Sequence, residues 1–134
     1  MRLILSGGGT GGHVYPAIAI ANKIKEYHPD AEILFVGTRA GIEAEIVPKY
    51  GYKIEYIDVQ GFRRKIDFDN VKRLIKFLKS LSDSKRIIKK FKPDLVIGTG
   101  GYVSGSVVLE ASKMGIKSCI HEQNSFPDLS PTSS

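Results

Sequence analysis

The residues best suited to binding chemistry form a glycine-rich run, residues 7–13 (GGGTGGH), between a short apolar segment and a predicted helix. Glycines allow a sharp turn and let backbone N–H groups approach an anion closely. A helix that starts directly after the run adds the positive end of its dipole at the same place. The run therefore predicts a loop that binds a phosphate or sugar phosphate, in preference to a strand-to-helix turn without a ligand.

Two further polar loops, residues 98–106 and 121–125, also follow predicted strands. In an open parallel sheet the carboxyl ends of the strands line one crevice, so we expect all three loops to open on the same edge. The second loop offers backbone amides and the hydroxyl of Ser104. The third offers Asn124, whose amide suits a sugar hydroxyl or a base edge. Two anion-binding loops on one edge suit a diphosphate or two phosphate-bearing substrates.

Histidines stand beside two of these loops, and the residues alone leave their roles open. His13 is placed to act as a general base or to donate to a phosphate. It is equally suited to bonding the local backbone at a helix start. His121 precedes Glu122, so the two side chains either form a pair that orients the loop or are purely structural.

A nicotinamide dinucleotide is the alternative ligand. Gly7, Gly9 and Gly12 match the spacing G-x-G-x-x-G, which is a weak signal by itself. An enzyme that prefers NAD needs an acidic residue after the second strand, and Thr38 and Arg39 stand there instead. Arg39 suits a 2′-phosphate, so an NADP-binding oxidoreductase domain stays open. That alternative does not explain the second and third loops.

Apolar segments alternate with turn residues along the chain and predict alternating strands and helices. Pro16 is expected in the first turn of the first helix, and residues 82–84 are expected to break or bend the third. The pattern predicts an α/β fold: a Rossmann-like open parallel sheet with helices on both faces, in one domain over residues 1–125. The Ser- and Pro-rich residues 126–134 are expected to form a flexible tail. The predicted strands are 2–6, 32–36, 53–59, 95–97 and 117–120, and the predicted helices are 14–27, 42–49, 70–91 and 104–114.

The composition excludes two classes of protein. The chain has one cysteine among 134 residues, which excludes an internal disulfide framework and favours a reducing compartment. No apolar run approaches the roughly 20 residues that a membrane-spanning helix needs. We therefore expect a cytoplasmic protein whose membrane contact, if any, is peripheral.

The net charge of +6 is concentrated in residues 62–92, which hold twelve basic and three acidic residues. Within this zone Val71, Ile75, Leu78 and Leu81 recur at helical spacing. This stripe is either the core-facing side of an amphipathic helix or a membrane-docking face with lysines beside it. Nucleic acid is not an expected partner, because the zone has no recognition motif and few aromatic residues.

Four segments taken together resemble a known family. They are, in order along the chain, residues 8–17 (GGTGGHVYPA), 61–65 (GFRRK), 98–105 (GTGGYVSG) and 121–125 (HEQNS). They are similar to the amino-terminal half of the MurG family, the bacterial N-acetylglucosaminyltransferases of peptidoglycan synthesis. The resemblance extends over about residues 1–127.

The resemblance implies one half of a two-domain GT-B glycosyltransferase that requires no bound metal and no cofactor. Enzymes of the family transfer N-acetylglucosamine (GlcNAc) from UDP-GlcNAc to undecaprenyl-linked lipid I, with inversion, and form lipid II. They work as peripheral proteins on the cytoplasmic side of the bacterial cell membrane. UDP-GlcNAc, lipid I and that membrane surface are therefore the expected partners.

The resemblance also assigns roles to individual residues, with His13 as the candidate catalytic base. The expected donor contacts, to UDP-GlcNAc, are Thr10, Gly11, Gly12 and Asn124. The expected contacts to the acceptor diphosphate are Gly9, Gly100, Gly101, Tyr102 and Ser104. The expected membrane contacts are Val71, Lys72, Ile75, Lys76, Leu78 and Lys79.

The sequence departs from the family after Ser125. The family continues with Pro-Gly, whereas Phe126, Pro127 and Asp128 stand here. The carboxyl-terminal donor domain is expected to be absent or supplied by a separate chain, and the chain alone is expected to be inactive. The alternative is a noncatalytic fragment that binds a lipid pyrophosphate or a membrane.

Overall fold

The computed structural model describes residues 1–57 and 69–121, in which strands and helices alternate. The alternation follows the sequence because the inner strands are short apolar runs and the helices repeat apolar residues at helical spacing. The elements are β1 (Arg2–Gly7), α1 (Gly11–Tyr27), β2 (Glu32–Gly37), α2 (Glu43–Lys49), β3 (Lys53–Tyr56), α3 (Asp69–Phe91), β4 (Leu95–Gly100), α4 (Tyr102–Lys113) and β5 (Lys117–Ile120).

The five strands form one parallel sheet in the order β3-β2-β1-β4-β5. The order reverses at β1, which pairs with β2 on one side and with β4 on the other. The loops that follow β1 and β4 therefore leave neighbouring strands at the same edge, where an open α/β sheet forms its crevice. The predicted Rossmann-like parallel sheet is confirmed.

The core lies on both faces of the sheet. Leu3 and Leu5 of β1 pack with Val14 and Ile18 of α1, whereas Ile4, between them, packs on the opposite face with Ile88 of α3. Successive residues of a strand point to opposite faces, so a strand buried on both faces is continuously apolar. The expectation of helices on both faces is confirmed.

Two turns are shorter than the sequence pattern predicts. Helix α1 begins at Gly11 rather than at residue 14, because the N–H groups of His13 and Val14 both donate to the Thr10 carbonyl. Pro16 is consequently the sixth helical residue, and its expected place in the first turn is wrong. Strand β4 extends to Gly100 and α4 begins at Tyr102, so Gly101 alone connects them.

Helix α3 is continuous, so the break expected at residues 82–84 is wrong. The Ser84 hydroxyl is buried and donates to the Ser80 carbonyl one turn earlier (2.8 Å). The Ser80 hydroxyl in turn lies 2.8 Å from the Ser106 hydroxyl of α4. Serine favours turns because its hydroxyl bonds nearby backbone. Here the Ser84 hydroxyl bonds backbone within α3, and the Ser80 hydroxyl meets a side chain of α4, so the helix continues.

None of the helices in the described ranges is long and apolar enough to cross a membrane.

Parts of three predictions lie outside the described residues. They are the end of the third strand at residues 58–59, the segment 61–65, and the third loop and tail after His121.

Candidate functional site

A cavity of about 190 Å³ opens between the loops that follow β1 and β4. It contains four residues to which the sequence analysis assigned a binding or catalytic role, together with Thr38 and Glu43, to which it assigned none. The residues that line it are Gly8, Gly9, Thr10, His13, Thr38, Glu43, Gly101 and Val103.

The His13 ring is fixed by the backbone around it. Its Nδ1 lies 3.0 Å from the Gly8 carbonyl oxygen. A carbonyl oxygen only accepts, so Nδ1 carries the hydrogen, and in the neutral ring Nε2 keeps its lone pair. The ring also lies against Gly100, where an added Cβ would come within 2.4 Å of His13 Cδ2. His13 thus bonds the local backbone and still has one nitrogen able to accept a proton.

The two glycine loops are bonded directly to each other. The Gly8 N–H donates to the Gly100 carbonyl (3.2 Å), and the Thr99 hydroxyl donates to the His13 carbonyl (2.6 Å). Gly101 has φ +98°, and an added Cβ would lie 2.5 Å from the Gly8 carbonyl oxygen. Gly100 and Gly101 are therefore required for the close approach of the second loop to the first.

Glu43 is the main residue that the sequence analysis missed. Its side chain is 1% exposed, and its Oε1 accepts the Gly9 N–H (2.9 Å). Its Oε2 accepts both the N–H (2.8 Å) and the hydroxyl (3.0 Å) of Thr38. The sequence holds one indication of this role: Glu43 stands at the start of a short predicted helix, and Gly37 and Gly41 come just before it. Glycines at these positions leave room for a buried side chain.

The amides at the start of α1 remain open to a ligand. Among the described residues, no protein acceptor pairs with the N–H groups of Gly11 and Gly12, and the Thr10 side chain does not cap the helix. These amides and the helix dipole suit an anion. The Gly9 N–H differs, because it already donates to Glu43.

The other predicted site residues occupy varied positions. Gly100 and Gly101 lie in the second loop beside His13 and Gly8. Ser104 is 4% exposed and packs against Gly98, where an added Cβ would meet its hydroxyl oxygen at 2.2 Å, so its side chain lies beneath the loop. Tyr102 begins α4, and its side chain is not among the described parts.

The third loop begins at the same edge as the other two. The backbone N–H of His121 donates to the Gly98 carbonyl (2.7 Å), and its side chain is exposed. The predicted convergence of the loops is therefore confirmed for the first two and for the start of the third. Glu122 and Asn124 lie outside the described residues.

Arg39, the residue on which the NADP alternative depends, lies over the Tyr56 ring, 4.4 Å from its centroid. Cation–π contacts of this kind hold a guanidinium in place on the domain surface.

No cluster of three or more His, Cys, Asp or Glu residues is placed to hold a metal ion within residues 1–57 and 69–121.

The apolar stripe on α3 faces outward at its first three residues, whereas Leu81 is half-buried. Val71, Ile75 and Leu78 are 62%, 59% and 55% exposed. Helix α3 instead packs on the core through Ile87 and Ile88. The core-facing interpretation of the stripe is therefore wrong for these three residues. Of the predicted lysines beside it, Lys72 and Lys79 are exposed and Lys76 is half-buried.

The sequence matches the family model described as the glycosyltransferase family 28 N-terminal domain over residues 3–132. A curated relative from Clostridioides difficile (strain 630) is 68% identical over 129 residues. It is named UDP-N-acetylglucosamine–N-acetylmuramyl-(pentapeptide) pyrophosphoryl-undecaprenol N-acetylglucosamine transferase. A relative of the same name from Alkaliphilus oremlandii is 63% identical. The matches cover 96% of this chain but 32% and 35% of the relatives, so the chain spans about a third of their length.

The solved structures agree with the sequence matches. Acinetobacter baumannii MurG superposes with a TM-score of 0.78 at 34% identity, over 92% of this chain and 35% of that one. A UDP-GlcNAc 2-epimerase from Neisseria meningitidis, bound to UDP-GlcNAc, has a TM-score of 0.63 at 13% identity over 90% and 32% of the two chains, which shows a shared fold alone. The parallel sheet, the two interlocked glycine loops and the family match over residues 3–132 together show that the chain belongs to glycosyltransferase family 28, as its N-terminal domain.

Proposed function

We propose that this chain is the acceptor-binding half of an N-acetylglucosaminyltransferase that transfers GlcNAc from UDP-GlcNAc to undecaprenyl-linked lipid I. The observation that carries the proposal is the cavity between the two glycine loops, which His13 lines. The open amides of Gly11 and Gly12 directly precede His13 in the chain. The 68% identity to a transferase of that name supports it.

The geometry suits an inverting displacement in one step. A sugar hydroxyl is a weak nucleophile, so a base that removes its proton assists its attack on the anomeric carbon. His13 Nε2 is the proposed base, because Nδ1 is held by the Gly8 carbonyl. The C4 hydroxyl of the muramoyl sugar forms the new bond as the bond to UDP breaks, and UDP leaves as an anion. Direct displacement converts an α-linked donor into a β-linked product.

The contacts to the two substrates divide between the loops. Thr10 and the open N–H groups of Gly11 and Gly12 are the proposed donor contacts, where they stabilise charge on the departing diphosphate. Gly100 and Gly101, with Tyr102, are the proposed contacts to the lipid diphosphate. Gly9 and Ser104 were also expected to contact that diphosphate, but we propose no direct phosphate contact for either, since the Gly9 N–H is bonded to Glu43 and Ser104 is buried.

The exposed stripe of α3 is the proposed membrane contact, on the cytoplasmic side of the bacterial membrane. Three apolar side chains with lysines beside them suit an anionic lipid surface, because the apolar groups enter the interface while the lysines meet the headgroups. This arrangement would bring the domain to a lipid-linked acceptor.

Replacing both Ile75 and Leu78 with serine is expected to weaken binding to vesicles containing phosphatidylglycerol by at least about tenfold, because two apolar side chains no longer enter the interface. The free energy of unfolding should change by less than about 0.5 kcal/mol per site, since both side chains are exposed. Vesicle sedimentation and urea unfolding measure the two quantities.

The matched control is Tyr27→Ser, which removes an exposed apolar side chain from α1 on the opposite face of the sheet. It should leave vesicle binding unchanged. Equal loss of binding in both variants, or full binding by the double serine variant, would contradict a docking role for the stripe.

The transferase proposal is tested with two proteins. The first is the chain itself. The second is a joined enzyme, in which this chain replaces the matching third of the C. difficile relative. The chain alone is expected to show no turnover of lipid I with UDP-GlcNAc, and the joined enzyme is expected to form lipid II. Turnover by the chain alone would disprove the first expectation, and an inactive but folded joined enzyme would disprove the second.

The noncatalytic alternative has its own outcome in this experiment. If the joined enzyme is folded but inactive while the chain still binds vesicles containing a polyprenyl pyrophosphate, the chain is a binding fragment. Vesicles of the same lipid without the pyrophosphate distinguish the pyrophosphate from the membrane surface as the ligand.

A further inference from the structure

Glu43 is a buried carboxylate enclosed by backbone of two loops, the one after β1 and the one after β2. At Gly8, Gly37 and Gly41 an added Cβ would lie 2.3, 2.5 and 2.1 Å from an atom of the Glu43 side chain. A glutamate end can usually move aside, but this one is 1% exposed and accepts three hydrogen bonds. The surrounding glycines therefore make a space that this carboxylate fills.

The charge of Glu43 is met by dipoles rather than by a cation. Its three donors are the Gly9 N–H and the N–H and hydroxyl of Thr38. Within the described part of the chain, none of the salt bridges includes Glu43. A buried carboxylate is tolerated when hydrogen bonds replace those it made to water, but its negative charge still acts on its surroundings. Those surroundings include the cavity, which Glu43 helps to line.

The bond to Gly9 changes what the first glycine loop offers a ligand. An N–H group in a glycine loop is the group that an incoming phosphate would use. Here the protein's own carboxylate already accepts it, across 34 residues of sequence. A phosphate at this place would displace one of the bonds of Glu43 and approach a like charge. A sugar hydroxyl can donate to a carboxylate and meets neither obstacle.

We propose that Glu43 is the positioning residue of the first glycine loop and that it reserves the Gly9–Thr38 side of the cavity for an uncharged, hydroxyl-bearing part of the ligand. The inference rests on the proposed function in taking the ligand to be a sugar diphosphate. The diphosphate is then directed away from Gly9, and the sugar lies beside Gly9.

Glu43→Gln is the sharpest single change, because it keeps the shape of the side chain and removes one acceptor atom. Oε1 accepts from Gly9 and Oε2 accepts from Thr38. Glutamine has only one oxygen, so its NH₂ group must face a donor on one of the two sides. Glu45→Gln is the matched control, since it makes the same chemical change at an exposed position of the same helix.

The first measurement is amide hydrogen exchange in the ¹⁵N-labelled chain, read by NMR. In Glu43→Gln the amide of Gly9 or Thr38 is expected to exchange at least about tenfold faster than in the unaltered chain. In Glu45→Gln both amides should exchange at the unaltered rate. Unaltered rates in Glu43→Gln would overturn the positioning role.

The second measurement titrates the chains with inorganic pyrophosphate and with free GlcNAc, and follows the same two amides. In the unaltered chain GlcNAc should shift the Gly9 and Thr38 signals and pyrophosphate should not. In Glu43→Gln pyrophosphate should now shift them, because the excluding charge is gone. This result is one that a purely structural role would not produce.

Every other outcome counts against the proposal. A shift of the Gly9 or Thr38 signal by pyrophosphate in the unaltered chain shows that Glu43 does not exclude anions, and this result does not depend on whether Glu43→Gln folds. Pyrophosphate shifts absent from a folded Glu43→Gln chain would show that the charge is not what excludes them. Neither readout requires turnover, so an inactive joined enzyme would overturn the proposed function and leave the Glu43 result to stand by itself.

Discussion

Replacing His13 with asparagine is expected to lower kcat of the joined enzyme by roughly 10²- to 10⁴-fold, the usual contribution of a positioned general base. Asparagine keeps a side-chain N–H donor near the place of Nδ1, so the bond to the Gly8 carbonyl can persist. It has no counterpart to Nε2. The variant therefore removes the proposed base while keeping the local backbone contact.

The division of the effect between kcat and KM identifies the role of His13. Loss of a base that acts in the transition state lowers kcat and leaves KM nearly unchanged. A ring that only shapes the cavity would mainly raise KM. Steady-state kinetics with varied UDP-GlcNAc separates the two, and His28→Asn, at an exposed histidine just after α1, is the control for the exchange itself. A kcat within about twofold of the unaltered enzyme would contradict the base assignment.

Replacing Gly101 with alanine is expected to destabilise the chain by about 3 kcal/mol, which combines backbone strain with a steric clash. The residue has φ +98° and ψ 167°, a conformation that is essentially restricted to glycine. Its added Cβ would also meet a backbone carbonyl oxygen, that of Gly8, at 2.5 Å. Backbone cannot rotate away as a side chain can, so the two glycine loops must separate. Urea unfolding measures the loss.

Gly105→Ala is the matched control, four residues further along the same segment. Gly105 lies in α4, is exposed, and has nothing within 4 Å of an added Cβ. Alanine there should stabilise the chain by about 0.5–1 kcal/mol, because it lowers the entropy of the unfolded state and favours the helix. Equal effects at Gly101 and Gly105 would show that the interlocking of the two loops does not carry the stability assigned to it.

The general fold could be predicted because its signals are local. A strand buried on both faces is a continuous apolar run, and a helix repeats its apolar residues every three to four positions. The strands Arg2–Gly7 and Glu32–Gly37 follow directly from the first of these patterns, because almost all of their residues are buried. Element ends were predicted less well: α1 begins at Gly11 because the N–H groups of His13 and Val14 donate to the Thr10 carbonyl, and no apolar pattern indicates those bonds.

The direction of the α3 stripe could not be predicted from spacing. A helical repeat of apolar residues indicates that one face is apolar, and it does not say what that face contacts. The structure turns Ile87 and Ile88 toward the sheet and leaves Ile75 and Leu78 exposed. The packing of α3 on the sheet and on α4 decided this outcome.

The glycine run at residues 7–13 shows which features the sequence determines and which the tertiary structure determines. The sequence by itself determined that a glycine loop follows the first strand and, for a parallel sheet, that a second glycine loop stands on the same edge, because residue types and the succession of elements along the chain can be read from it directly. Only the tertiary structure decided what those glycines do. The Thr99 hydroxyl bonds the His13 carbonyl across 86 residues, and Glu43 bonds Gly9 across 34. Contacts over such distances depend on how the strands are ordered in the sheet, so they leave no pattern in the neighbouring residues.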